Sequence, residues 1–71
     1  MLEELETEAN KIDSSRLTLL TTQELQTLLA YAYWKDGCDD KEFLTMIKDN
    51  TEGSSSQEMT NILHQQFGYS L

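Results

Sequence analysis

The sequence predicts an all-α fold: a small, bundle-like domain of three to four helices joined by short loops and occupying residues 1–71. Leucine dominates its apolar residues, valine and proline are absent, and apolar positions recur at steps of three and four. No segment shows the two-residue alternation of a half-buried strand. A chain of 71 residues can build only one modest core.

The first predicted helix runs from Leu2 to about Asp13. Its apolar residues form one narrow stripe of alternating three- and four-residue steps, made of Leu2, Leu5, Ala9 and Ile12. We expect Ser14 and Ser15 to end this helix. The stripe spans fewer than three heptads, which is too short for a coiled coil, so it is expected to pack within its own domain.

The second predicted helix has the clearest start signal in the chain. A capping box and the hydrophobic staple around it are expected from Thr21, Glu24, Leu20 and Leu25. The helix should run to Lys35 or Asp36 and stop at Gly37, because glycine can adopt the left-handed conformation that closes a helix.

Two further helices are predicted in the second half of the chain. Asp39 and Glu42 announce the third, which carries Phe43, Leu44, Met46 and Ile47 and ends near Asn50.

A polar loop is expected from Thr51 to Ser56, before a fourth helix that begins at Ser55 or Ser56. Ser55 and Glu58 could form its capping box. Its apolar face is predicted from Met59, Ile62, Leu63 and Phe67. Gly68 is expected to end the helix, with Tyr69 and Leu71 folding back.

The charge of the chain points towards protein partners. Thirteen acidic residues against five basic ones give a net charge of −8. Such a field disfavours direct binding to nucleic acid or to an anionic membrane and favours a basic protein surface. A charge that serves solubility alone is the competing interpretation.

No catalytic or cofactor motif is recognisable, so we expect neither an enzyme nor a bound cofactor. Cys38 and His64 are the single cysteine and the single histidine. They provide no internal disulfide and no zinc-ligand spacing. A thiol enzyme would also need an orienting group and an oxyanion hole, and His64 is predicted to face solvent. Phosphate-loop, HExxH and nucleophile-elbow patterns are absent.

The acidic cluster around Gly37 does not have the spacing of a calcium loop. Its members are Asp36, Asp39, Asp40 and Glu42. The positions that should hold the first calcium ligands fall on Ala32 and Trp34, and the bidentate glutamate position falls on Phe43. We therefore expect these carboxylates to serve the turn and the helix start, without a metal ion.

The N-terminal residues indicate the compartment. The chain begins Met-Leu-Glu-Glu-Leu, with neither a basic leader nor an apolar span, and its lone thiol fits a reducing environment. We therefore expect a cytoplasmic protein without membrane attachment, in the host cytoplasm if a phage encodes it.

Two surfaces are candidates for binding a partner. The first is the acidic first helix, whose carboxylates Glu3, Glu4, Glu6 and Glu8 could resemble a row of phosphates. The second consists of Tyr31 and Trp34, which a helical wheel places opposite the core-facing stripe of the second helix, followed by the aspartates Asp36, Asp39 and Asp40. The competing interpretations are a solvated charged face and two aromatics buried in a small core.

The leading functional hypothesis is a non-catalytic inhibitor or regulator, encoded by a phage or another mobile element, that occupies a basic surface of a nucleic-acid-handling protein as a DNA mimic does. The alternative is a small helical assembly subunit or co-chaperone that completes its core against a partner through the stripe of the first helix. A homodimer is compatible with either hypothesis.

Overall fold

The computed structural model describes residues 2–49 and 56–71. These residues form α-helices and no β-strand, which confirms the predicted all-α fold. The helices are α1 (Leu2–Asn10), α2 (Thr22–Lys35), α3 (Lys41–Asp49) and α4 (Ser56–Phe67), with a short 3₁₀ turn at Leu17–Leu19.

Helix α2 is the centre of the fold, since α1, α3 and α4 each pack against it. The predicted core-facing stripe of α2 is buried, and it joins Ala9, Leu17, Met59 and Leu63 in the larger of two apolar clusters. The stripe consists of Leu25, Leu28, Leu29 and Ala32. A second, smaller cluster is formed by Leu5, Ala30 and Leu44, from α1, α2 and α3. Because it has apolar neighbours on more than one side, α2 can be apolar around much of its circumference.

Both ends of α2 lie where the sequence predicts them. Thr21 Oγ1 accepts a hydrogen bond from the Glu24 N–H at 3.2 Å, and Glu24 Oε1 accepts one from the Thr21 N–H at 3.0 Å. This reciprocal pair is the predicted capping box. At the other end Gly37 has a φ of 101°, and the Cys38 N–H donates to the Tyr33 carbonyl at 3.0 Å. That bond belongs to a Schellman stop.

The start of α3 differs by one residue from the prediction. The helix is capped by Asp40, whose Oδ1 accepts hydrogen bonds from the N–H groups of Glu42 (3.0 Å) and Phe43 (3.2 Å). Asp39 was expected in this role, but it lies one residue too early, because the first helical residue is Lys41.

Helix α1 ends at Asn10, three residues before the predicted boundary, and the expected break at the serine pair is present. Asp13 Oδ1 accepts a hydrogen bond from the Ser15 N–H at 3.1 Å, and hydrogen bonding by Ser15 lowers the pKa of Asp13. In the following 3₁₀ turn, Leu17 is fully buried and Leu19 is 75% exposed.

Helix α4 presents its predicted face to the larger cluster. Met59 and Leu63 are buried, with Ile62 and Phe67 packed beside them. Gly68, with a φ of 77°, ends the helix as predicted. Residues 51–55 of the loop predicted from Thr51 to Ser56, and with them the Ser55 half of the expected capping box, lie outside the described residues, whereas Ser56 is the first residue of α4.

The tail after α4 folds back onto the segment that precedes α2. The Tyr69 side chain packs against the larger cluster, as expected. The Leu17 N–H donates to the Ser70 carbonyl at 3.0 Å, and Thr18 Oγ1 donates to the Leu71 carbonyl at 3.0 Å. The Leu71 side chain itself is 46% exposed, so the backbone is the part that docks.

Candidate functional site

Helix α1 packs on the core through a narrow apolar stripe, and most of its acidic side chains are exposed to solvent. Leu5 is 6% exposed and Ala9 is 5% exposed, and each belongs to one of the two core clusters. The predicted acidic residues lie around them: Glu3, Glu4 and Glu8 are exposed and Glu6 is half-buried. The helix contains no basic residue. Its exposed surface is therefore negative along its length.

One of these carboxylates is paired. Glu8 forms an ion pair with Lys48 of α3, and both side chains are more than a third exposed. A pair this accessible contributes about 0–1 kcal/mol and is screened by salt. Glu3, Glu4 and Glu8 line one shallow depression together with Thr7. These three residues thus border the same shallow part of the surface of α1.

The two predicted aromatics are half-buried. Tyr31 and Trp34 contact each other with ring centroids 5.9 Å apart. Both pack against the smaller cluster, to which Leu5 contributes from α1. The side of α2 opposite its main stripe is therefore covered by α1 and α3. Tyr31 also packs against the larger cluster, so only Trp34 lies wholly on the side that the helical wheel predicts.

The predicted aspartates lie in the turn between α2 and α3, and all three are exposed. Asp36 is the C-terminal cap residue of α2, and the Asp40 carboxylate caps α3. Asp39 is the remaining carboxylate of this turn. Within residues 2–49 and 56–71, no group of three or more His, Cys, Asp or Glu side chains is arranged to hold a metal ion.

Cys38 and His64 lie in different parts of the fold. Cys38 follows the glycine stop of α2 and packs beside the smaller cluster. His64, exposed on α4 as predicted, forms a hydrogen bond of 2.7 Å between its Nδ1 and the Tyr69 carbonyl. Since a carbonyl can only accept, this ring nitrogen carries the proton.

A small cleft that the sequence did not reveal lies where α2 ends beside the C-terminal tail. Tyr31, Phe67 and Tyr69 contribute aromatic rings to it, and Lys35 and Asp36 contribute charges. Burial raises the pKa of Tyr69, and the neighbouring Tyr31 raises it further. The glycine stop at Gly68 predicted that Tyr69 folds back, but no periodic pattern indicated that it meets Tyr31.

Comparisons with protein-family models, curated proteins and solved structures find no significant match to this chain. None of the helices in the described part of the chain combines the length and the apolar character needed to cross a membrane.

Proposed function

We propose that this protein is a non-catalytic inhibitor or regulator that binds a basic surface of a nucleic-acid-handling protein. The acidic face of α1 takes the place that phosphates occupy when nucleic acid is bound. The observation that carries this proposal is the exposure of Glu3, Glu4 and Glu8 on a helix with no basic residue. Because Leu5 and Ala9 fix α1 on the core, these carboxylates are presented on an ordered support.

Carboxylates follow one another along α1 at intervals of a few ångströms. Glu4 and Glu8 are four residues apart, which corresponds to about 6 Å along a helix axis. Successive phosphates of one DNA strand advance about 3.4 Å along the duplex axis. The two intervals differ and Glu8 is already paired with Lys48, so the likeness to phosphates rests on the sign of the charge, to which a basic groove responds.

The neighbouring features enlarge the proposed contact surface. Tyr31 and Trp34 adjoin α1 through the smaller cluster, and tyrosine and tryptophan are enriched among residues that dominate binding energy. The turn after α2 adds further negative charge. The proposed surface comprises Glu3, Glu4, Glu6, Glu8, Tyr31, Trp34, Asp36, Asp39 and Asp40.

The proposed setting is the cytoplasm, where a lone thiol such as Cys38 stays reduced. In this setting the chain binds neither nucleic acid nor membrane directly, because its charge of −8 repels both.

The alternative hypothesis, an assembly subunit or co-chaperone, has less support. It requires the apolar stripe of α1 to be available to a partner, whereas Leu5 and Ala9 are buried within this chain.

The test uses affinity capture from a lysate of the organism that encodes the chain. Three baits are compared: the unchanged chain, the double variant Glu3→Gln/Glu4→Gln, and the control Glu24→Gln/Glu58→Gln. Both variants lose two negative charges, but the control changes only the first turns of α2 and α4. Circular dichroism verifies that each bait is folded.

We expect the unchanged chain and the control to retain a basic, nucleic-acid-binding protein that the Glu3/Glu4 variant loses. Duplex DNA should compete with this capture, and raising the salt from about 0.05 M to about 0.5 M should release the protein, because exposed charges are then screened within a few ångströms. Retention that is insensitive to salt, or equal for all three baits, would overturn the proposal.

A further inference from the structure

The cleft between the C-terminal part of α2 and the tail is small and shallow. Its volume is about 270 Å³. Sites for small molecules typically measure about 300–1,000 Å³ and enclose most of the ligand. This cleft is smaller than that range, shallow and largely open to solvent, so a flat group of another protein can lie against it, whereas a small molecule would not be enclosed.

The aromatic walls of the cleft are fixed before anything binds. The Phe67 ring meets Tyr33 edge-on, with centroids 5.2 Å apart. The Tyr31 ring is braced by its contact with Trp34. His64 holds the Tyr69 carbonyl at 2.7 Å. A site formed in advance requires little ordering on binding, which favours affinity.

Without a partner, the Lys35 ammonium of this chain already lies near the Tyr31 ring. Lys35 Nζ lies 5.7 Å from the centroid of the Tyr31 ring, within the distance of about 6 Å at which a cation is attracted to an aromatic face. The next residue, Asp36, brings a carboxylate to the same cleft. Aromatic faces beside a carboxylate are suited to a positively charged guest.

Arginine fits this combination better than lysine. Its guanidinium is planar, stacks on aromatic faces and can bond a carboxylate through two N–H groups, whereas the ammonium of lysine is a compact and strongly hydrated charge. The net charge of −8 also draws basic partners towards the chain.

We propose that this cleft receives an arginine side chain of the protein partner, which stacks on Tyr31, pairs with Asp36 and displaces Lys35. The inference rests on the proposed function in one respect, that the partner is a basic protein. It adds a specific anchor point to the proposed contact surface.

The test is an NMR titration of the 71-residue chain with Nα-acetyl-arginine amide, with Nα-acetyl-citrulline amide as the neutral probe of similar shape. We expect arginine to shift the ring resonances of Tyr31, Phe67 and Tyr69 saturably, and citrulline to leave them in place. Lys35→Ala should tighten arginine binding about two- to fivefold, because the ring no longer holds an internal cation. Asp36→Asn should weaken it by a similar factor.

Lys11→Ala is the matched control, because it removes one positive charge from a residue outside the cleft. If Lys35→Ala and Lys11→Ala change the affinity equally, only net charge matters and the cleft proposal is wrong. Equal shifts with arginine and citrulline would also overturn it, as would arginine-induced shifts confined to α1.

The two proposals can fail separately. Glu3→Gln/Glu4→Gln should abolish capture of the partner yet leave the arginine titration at Tyr31 unchanged. Salt-sensitive capture without any arginine response at the cleft would refute the cleft proposal alone. A saturable arginine response without salt-sensitive capture would refute the role of α1 alone.

Discussion

Glycine is required at two helix ends for the conformation of its backbone. Gly37 has a φ of 101° and Gly68 a φ of 77°, a region that L side chains rarely adopt. A Cβ at either position would meet no other atom within 4 Å, so space does not explain the choice. At Gly37 this conformation lets the Gly37 and Cys38 amides reach carbonyls of the last turn of α2 and directs the chain towards α3.

Replacing Gly37 with alanine should therefore lower the free energy of unfolding by about 1 kcal/mol, because backbone strain outweighs the smaller entropy of the unfolded chain. Gly37→Asn should recover part of the loss, because asparagine tolerates a positive φ better than alanine. Urea denaturation of the three proteins measures both effects. An alanine variant as stable as the unchanged chain would show that the positive φ is not required there.

Tyr69 gives the stability a dependence on alkaline pH. Burial, assisted by Tyr31, raises its pKa in the folded chain above the usual value of 10.0. The folded state therefore favours the protonated phenol. The corresponding stability is fully present below about pH 10, and it is lost as the pH rises through the higher pKa of the folded chain.

We expect the free energy of unfolding to fall more steeply above pH 10 in the unchanged chain than in Tyr69→Phe. Urea denaturation at several alkaline pH values measures the two slopes, and phenolate absorbance locates the titration. Equal slopes would mean that the Tyr69 hydroxyl titrates alike in the folded and unfolded chains.

At the scale of the element, α1 illustrates what periodicity can predict. Two residues of its stripe, Leu5 and Ala9, are buried as expected, because apolar residues at steps of three and four lie on one face of a helix.

The burial of Leu17 could not be predicted from periodicity. It lies in a 3₁₀ turn, where a single buried residue leaves no repeating pattern. Asp39 and Asp40 can both cap a helix, and only the position of the first helical residue distinguishes them.

The stripe of α1 can be tested with two leucine substitutions of opposite exposure. Leu5→Ala should cost about 2–5 kcal/mol, because it empties space in the smaller cluster. A chain of this size is stabilised by roughly 4–11 kcal/mol in total, so the loss is severe. Leu19→Ala, at a residue 75% exposed, should change stability by less than about 0.5 kcal/mol.

Thermal unfolding followed by circular dichroism measures both variants. If Leu5→Ala were as mild as Leu19→Ala, α1 would not be docked on α2 through its stripe. The exposure of the Glu3, Glu4 and Glu8 carboxylates would then lose its structural basis.

At the scale of the whole molecule, charge and size act together. The principal extents are 27 × 25 × 19 Å. At 0.01 M ionic strength the screening length is about 30 Å, so every carboxylate repels every other across the fold. At 1 M the screening length is about 3 Å.

The negative character of α1 could be predicted from the sequence, since its glutamates lie off the apolar stripe. The aromatic cleft could not, because only tertiary packing brings Tyr69 to Tyr31.

Added sodium chloride should therefore raise the melting temperature, because it screens the repulsion within the folded chain. The Glu3→Gln/Glu4→Gln variant, with two fewer negative charges, should show a smaller increase over the same salt range. Calorimetry of both proteins provides the measurement. A melting temperature independent of salt would mean that the net charge of −8 costs the folded state little.

The docked tail has a consequence for the order in which the molecule assembles. The bond from Thr18 to the Leu71 carbonyl joins residues 53 positions apart, and the entropy lost in closing a chain segment grows with its length. We expect this closure only after α2 and α4 have met, since their packing brings the two segments together. The Tyr69 wall of the cleft would then be completed late in folding, and a nascent or partly unfolded chain could display acidic α1 residues before it could hold an arginine.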